Sequence, residues 1–226
     1  TTDCLEIKQG MCEEIVVEDG AVRGVISREG IFFEAPSVVV TTGTFMQGLI
    51  HIGEINFPGG RCGEPPSEGL SKSLASHGIR LGRLKTGTPV RVHRRSIDYS
   101  LTEVQPGDDW VYFSYDEKAP RLPQVPCHIV YTTVETKKVI LENLHRSPLY
   151  SGKIQGIGPR YCPSIEDKVV RFSGRDCHQV FLEPEGLNTE EVYTSGISSS
   201  LPFDVQYAIV HSIPALKNAE IIRPAY

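Results

Sequence analysis

The chain has 226 residues, 39% of them apolar and 23% charged, with a formal net charge of −5. These are the proportions of a globular protein of one large or two smaller domains. The acidic balance excludes a surface coated throughout for nucleic acid, though a local basic stripe stays open. No window approaches about 18 consecutive apolar residues and no basic-then-apolar leader opens the chain, so a soluble, cytoplasmic protein with no membrane partner is expected. The six cysteines, Cys4, Cys12, Cys62, Cys127, Cys162 and Cys177, form no CxxC pair and have no His at zinc spacing. They read as free thiols of a reducing compartment, with no metal site. The chain lacks an initiator Met and begins in mid-pattern, as a piece of something longer would.

From Met11 to Thr42 the pattern is of short strands and tight turns. Glu14 to Val17 is rich in β-branched residues, Asp19-Gly20 is a hairpin turn, and Val22 to Ser27 returns. A second turn at Arg28-Glu29-Gly30 leads into Ile31-Phe32-Phe33. Ser37 to Val40 is a continuous apolar run, expected as a strand buried on both faces in a parallel sheet. It ends at Thr41-Thr42-Gly43-Thr44, where backbone can approach a ligand. Gly10, Gly20 and Gly24 do not supply a GxGxxG motif.

Phe57 to Ser67 is a turn-dense loop feeding a helix over Glu68 to His77, with Leu70, Leu74 and Ala75 on one face, Ser67 as N-cap and Gly78 beyond its end. A glycine-rich loop at a helix start is either an ordinary capped helix or an anion site. Ile79 to Leu84 and Pro89 to His93 read as strands flanking Lys85-Thr86-Gly87-Thr88. That loop offers a cation, two hydroxyls and free backbone for an anionic or carbonyl-rich ligand, and is equally a decorated turn. Arg80, Arg83, Lys85, Arg91, Arg94 and Arg95 stand without an intervening acid. Such a stripe either faces phosphates, with Arg91, Arg94 and Arg95 as RNA contacts, or blunts a sheet edge.

Asp98 to Gln124 is loop-like and aromatic, with Tyr99, Trp110, Tyr112, Phe113 and Tyr115. A strand over Pro126 to Thr133 and a helix over Glu135 to His145 follow. Gly156-Ile157-Gly158-Pro159 then forces a tight bend. Pro163 at a first helical position, with Glu166 and Asp167 early and Lys168 and Arg171 late, marks a helix start. Cys162 would stand at its positive end near Arg160 and Lys168, surroundings that favour a nucleophilic thiolate; the plain alternative is a buried thiol on a turn. His178 to Leu182 and Val192 to Thr194 are strands. Ser198-Ser199-Ser200 caps the next helix or touches a phosphate. That helix, Pro202 to Ile213, is expected to bury Phe203, Tyr207, Ile209 and Val210, and Ile221 to Arg223 is expected to return to the first sheet.

The run GPRYCPSIEDKVVRF, Gly158 to Phe172, resembles the signature of the GidA/MnmG family. TTGTFMQGLIHIGE, FPGGRCGEPPSEGLS, GRLKTGTPVR, LEPEGLNTEEVY and GISSSLPFDVQ resemble the same family in the same order, so the likeness covers most of the chain, which reads as a central fragment. The resemblance implies an α/β fold. Residues 1–50 would be part of a Rossmann-like FAD-binding domain of the two-dinucleotide, glutathione-reductase-like type. Residues 51–215 would be an inserted α+β region for substrate and NAD, and residues 216–226 a return to the FAD-binding domain.

The implied activity is FAD-dependent tRNA modification. A carboxymethylaminomethyl or aminomethyl group is added to the wobble uridine, using NADH and methylene-tetrahydrofolate, with a GTPase partner of the MnmE/TrmE type and a homodimeric enzyme. By the same likeness Cys12, through its backbone, and Ser67 match positions at FAD, and Thr42 and Gly43 are expected to bind the cofactor as well. Gly158, Pro159, Arg160, Tyr161, Cys162, Pro163, Ser164, Ile165, Glu166, Asp167, Lys168, Val169, Val170, Arg171 and Phe172 would meet the nicotinamide cofactor. Cys162 would be catalytic, as nucleophile or general acid, with Lys85, Thr86, Gly87 and Thr88 beside the active site. Two alternatives are an RNA- or partner-docking module of a flavoprotein and a folate-dependent tRNA methyltransferase. A disulfide reductase would need an adjacent cysteine pair, which is missing.

Overall fold

The computed structural model of the chain describes residues 3–108, 115, 123–156, 158 and 162–226. They fall into two units, Thr1–Ile50 with Asn56–Arg83 and His51–Ile55 with Leu84–Tyr226.

In the first unit β1 (Cys12–Glu18), β2 (Ala21–Ser27) and β3 (Phe32–Glu34) form an antiparallel meander in that order. Asp19 and Gly20 take φ of 52° and 75°, the backbone that a two-residue hairpin turn requires. Helix α1 (Gly69–Ser76) lays Leu70 and Leu74 on Ile15, with Val17, Val22, Val25 and Met46 around them. Ser71, not Ala75, completes its buried face. Strand β1 is the outer strand, and side chains from the α1 segment satisfy its free edge. Ser73 Oγ accepts from Ile15 N at 2.9 Å, His77 Nε2 lies 3.0 Å from Ile15 O, and Ser67 Oγ donates to Cys12 O at 3.1 Å.

The expected strand over Ser37 to Val40 is not formed, and Val39 and Val40 are 85% and 42% exposed. A strand needs a hydrogen-bonded neighbour, and among the described residues no strand runs beside this one. Ile79 to Leu84 is likewise irregular, with Ile79, Leu81 and Leu84 exposed. A short ribbon, β4 (Leu49–Ile52) with β5 (Ile55–Pro58), was not foreseen; its turn, His51–Ile55, groups with the second unit.

The second unit holds β6 (Arg91–His93), β7 (Glu103–Gln105), β8 (Cys127–Tyr131), β9 (Gln179–Pro184), β10 (Glu191–Ser195) and β11 (Ile221–Arg223). They form one antiparallel sheet in the order β11-β6-β10-β9-β8-β7. Helices α2 (Val134–Glu142), α3 (Ile165–Arg171) and α4 (Phe203–His211) cover one face. There Val92, Val180, Leu182 and Val192 meet Ile140, Ile165, Val169, Val205 and Ile209. The period-two alternation of Val180 and Leu182 is what aims both at the helices.

Three expectations change here. Strand β11 pairs with β6, not with the meander, so the last strand belongs to the larger sheet. Strand β6 therefore lies inside that sheet, and its basic residues do not blunt an edge. Helix α4 buries Val205, Gln206, Ile209 and Val210, whereas Phe203 and Tyr207 are 48% and 52% exposed. Gln206 takes the core position because its carboxamide bonds the main chain of Leu201 and Ala225. Of the aromatic loop, Trp110, Tyr112 and Phe113 lie outside the described residues, while Tyr115 is fully exposed. Among the described residues no helix is long and apolar enough to cross a membrane.

Candidate functional site

In the first unit, four residues from three distant stretches are joined by one hydrogen-bond path. Phe45 N donates to Thr42 O at 3.2 Å, closing a turn in which Gly43 has φ +56°. Ser67 N donates to Phe45 O and Gln47 N to Ser67 O, both at 2.8 Å, and Ser67 Oγ reaches Cys12 O. Cys12, Thr42, Gly43 and Ser67 thus share one locality. Among the described residues, its own chain neighbours apart, no atom lies within 4 Å of the Cβ position at Gly43, so its backbone is open. Burial pushes the Cys12 thiol pKa up, the direction of an unreactive neutral thiol.

Ser67 is not the cap of α1. The N-cap is Glu68, without a side-chain bond, and Gly69 N donates instead to Glu13 Oε2 at 2.7 Å. Arg28 holds the other Glu13 oxygen at 2.6 Å. The anion at this helix start is the protein's own carboxylate, so a dinucleotide's diphosphate does not fit there. The Thr42-Gly43 backbone, by contrast, is left open, and a dinucleotide would find room there. Glu13 escaped sequence reasoning because its role exists only once β1 and α1 are side by side.

The second cluster lies in the larger unit. A Cβ at Gly156 would stand 2.9 Å from Leu84 C and 3.0 Å from Lys85 N, so two main chains touch where glycine allows it. At Gly158 a Cβ would lie 3.6 Å from Lys85 Cδ and 4.0 Å from Cys162 O. Lys85 is buried, and Gly87 abuts Ser198, 3.4 Å from Cβ to Cβ. Thr88 exchanges two backbone hydrogen bonds with Tyr226, at 2.9 and 3.2 Å. Lys85 therefore lies against Gly156 and Gly158, in the stretch that leads to Cys162, itself half-buried.

Helix α3 starts later than Pro163 suggested. Ser164 is the N-cap, in a reciprocal capping box: Asp167 N donates to Ser164 Oγ at 3.2 Å and Ser164 N to Asp167 Oδ2 at 3.3 Å. Cys162 stands two residues ahead of that cap. The Lys168 ammonium donates to Gly196 O at 2.8 Å, and its burial lowers its pKa. Its hydrogen bond thus goes to a carbonyl rather than to the thiol. Pro159, Arg160 and Tyr161 lie outside the described residues. Ile165 and Val169 face the core, and Val170, Arg171 and Phe172 are exposed.

Glu166 is fully buried, its Oε1 accepting from Ser199 Oγ at 3.0 Å and Ser147 Oγ at 3.5 Å. Burial raises its pKa. The serine run does not cap α4, whose N-cap is Pro202; Ser199 Oγ serves Glu166 and accepts from Leu201 N. Neither Ser147 nor Ser199 carried a sequence signal for this role.

The basic stripe is partly neutralised. Arg91 pairs with Glu185 at 2.7 Å, lies 4.5 Å over the Tyr193 ring, and bonds Thr88 and Pro89 O. Arg95 pairs with Glu190 at 3.0 Å but stays 80% exposed, and Arg94 is exposed.

The sequence model of one family, described as glucose inhibited division protein A, matches residues 1–226. A tRNA uridine 5-carboxymethylaminomethyl modification enzyme MnmG of Protochlamydia amoebophila is 63% identical over 223 residues, which are 98% of this chain and 36% of that protein. The protein of the same name from Thermodesulfovibrio yellowstonii is 58% identical over 227 residues, 100% of this chain and 36% of that protein. Among solved structures, Aquifex aeolicus GidA in its form I crystal superposes with a TM-score of 0.84 at 50% identity, covering 99% of this chain and 39% of that one. The chain thus spans little more than a third of the length of the curated relatives it matches. With this match over its whole length, the chain belongs to the glucose inhibited division protein A family.

Proposed function

We propose that the protein carrying this chain is an FAD-dependent enzyme that installs a carboxymethylaminomethyl or aminomethyl group on the wobble uridine of tRNA. The names of its relatives support the substrate and reaction. The observation that supports the site is the close approach of Lys85 to Gly156 and Gly158, the latter also near Cys162 O. On this reading the first unit is part of the flavin domain and the second receives substrate and nicotinamide. NADH, methylene-tetrahydrofolate, a GTPase partner, a homodimer and a cytoplasmic setting follow from the family resemblance.

The flavin, when bound, supplies hydride chemistry for the one-carbon unit. The backbone of Thr42, Gly43 and Cys12, with Ser67 fixing Cys12, would hold it. Uracil C5 is a poor nucleophile. Addition of the Cys162 thiolate to C6 pushes electron density onto C5 and the neighbouring carbonyl oxygen, making C5 enolate-like. C5 would then bond to the electrophilic carbon of the one-carbon unit, whose carbon–nitrogen π electrons return to nitrogen; water takes the C5 proton as the thiolate leaves C6, restoring the ring. Lys85, Thr86 and Thr88 supply donors for a carbonyl oxygen or phosphate. General-acid use of the same thiol is the other role this position allows.

The test is Cys162→Ser in the full-length protein, with modified nucleosides from tRNA quantified by mass spectrometry. A loss of about 100-fold or more is expected if the thiol takes part in bond making. A normal rate would remove Cys162 from the mechanism.

A further inference from the structure

We propose that Glu166 is the positioning residue for Cys162, its carboxyl group binding together described segments that precede and follow that residue. Its Oε1 takes hydroxyl hydrogens from Ser147 and from Ser199. Ser147 opens the approach to the bend. It accepts from Tyr150 N at 3.1 Å and Ser151 N at 2.9 Å, and that stretch runs on to Gly156. Ser199 belongs to the segment that α3 and the Lys85–Thr88 loop both touch. Ile165 N donates to Ser198 O at 2.8 Å, and Gly87 abuts the Ser198 side chain. The turn of the β4–β5 ribbon adds a further tie, Gly53 N to Ser200 O at 2.7 Å. The stretch that ends at Gly156, the start of α3 and the Ser198–Ser199 segment against Gly87 are therefore tied to one buried carboxyl.

An apolar side chain would fill this space without desolvating a carboxyl group. The polar choice specifies where the serines sit, as buried networks do. Among the described residues no hydrogen bond reaches Oε2 by distance and angle, and burial favours the neutral acid. Glutamine keeps an oxygen acceptor for Ser147 and Ser199 and carries no charge, so it is the conservative replacement.

That Cys162 is the thiol of consequence rests on the function proposed above; the anchoring of its loop does not. The experiment therefore reads thiol accessibility, not tRNA modification. The full-length protein is alkylated with iodoacetamide, and rates at Cys162 and at exposed Cys177 are followed by peptide mass spectrometry. Glu166→Ala is expected to change the Cys162 rate by about fivefold or more, since two buried donors lose their acceptor. The Cys177 rate should stay unchanged. Glu166→Gln should keep both rates at the parent value. Ser199→Ala should move Cys162 in the same direction by a smaller factor, and it decides the matter if Glu166→Ala does not fold. A folded Glu166→Ala or Ser199→Ala protein with the parent Cys162 rate overturns the proposal, as does Glu166→Gln behaving like Glu166→Ala. If it fails while Cys162→Ser still abolishes modification, the enzymatic reading stands and only this anchor falls.

Discussion

Gly156→Ala tests whether the Lys85–Thr88 loop and the Cys162 bend are one site. The backbone at Gly156 is outside the positive-φ region, so alanine meets no conformational penalty there. The obstacle is steric: the new methyl would stand 2.9 Å from Leu84 C and 3.0 Å from Lys85 N, where ordinary contact begins at 3.4 Å. Both neighbours are main-chain atoms and cannot rotate aside. Overpacking of this kind costs about 1–3 kcal/mol. For a unit of this size that lowers the melting temperature by about 3–10 °C. Gly174→Ala is the matched control, because nothing among the described residues lies within 4 Å of its Cβ position and its φ is not positive. It should be neutral or stabilise by up to about 1 kcal/mol through the unfolded chain. Thermal melts of both variants, with tRNA modification measured on the full-length proteins, decide the matter. If Gly156→Ala melts and modifies tRNA like the control, the contact between the two loops is not what holds the site.

Glu166 links stability to pH with a definite sign. Burial raises its folded-state pKa above the ordinary 4.5. Below the unfolded value both states are protonated and nothing is lost. As pH rises towards the folded value the unfolded chain ionises first, and the parent loses stability. Glu166→Gln should therefore gain on the parent across that window and hold a constant advantage above it. Urea midpoints at acid and alkaline pH check this, and a pH-independent difference refutes it. Glu13→Ala removes the acceptor of Gly69 N and the partner of Arg28. The cap accounts for about 0.5–2 kcal/mol in a urea melt, and the exposed ion pair adds little; an unchanged midpoint would show that the helix start does not depend on Glu13. For RNA, Arg94→Glu with Arg95→Glu should flatten the salt dependence of tRNA affinity by about 0.9 in slope per lost phosphate contact. Arg91→Glu should instead lower the melting temperature, by breaking its pair with Glu185 and its stack on Tyr193. An unaltered slope in the double variant would dispose of the RNA stripe.

Several particulars were legible in the amino-acid order. Asp19-Gly20 read as a hairpin turn, His178 to Leu182 read as a strand, and the motif series from Thr41 to Gln206 carried the family. Local chemistry misled where distant residues supply the partner. The Ser37–Val40 run has the composition of a core strand, yet a strand exists only when another pairs with it. Ser67 has the chemistry of a cap but bonds Cys12, because Glu13 arrives from β1 to take the helix start. Phe203 and Tyr207 are the larger apolar side chains of α4, yet Gln206 is buried because main-chain groups of Leu201 and Ala225 wait for it.

What the sequence determined by itself, then, is whatever depends on neighbours a few positions away: turns, periodicity, caps within a helix such as Ser164 with Asp167, and the order of the family motifs. Tertiary structure alone decided which strands pair, that β11 joins β6, and that Ser147, Glu166 and Ser199 meet. The physical reason is that a hydrogen bond or a buried face is satisfied by proximity in space. Residues 19 and 33 positions from Glu166 become its neighbours only when the chain has closed on itself.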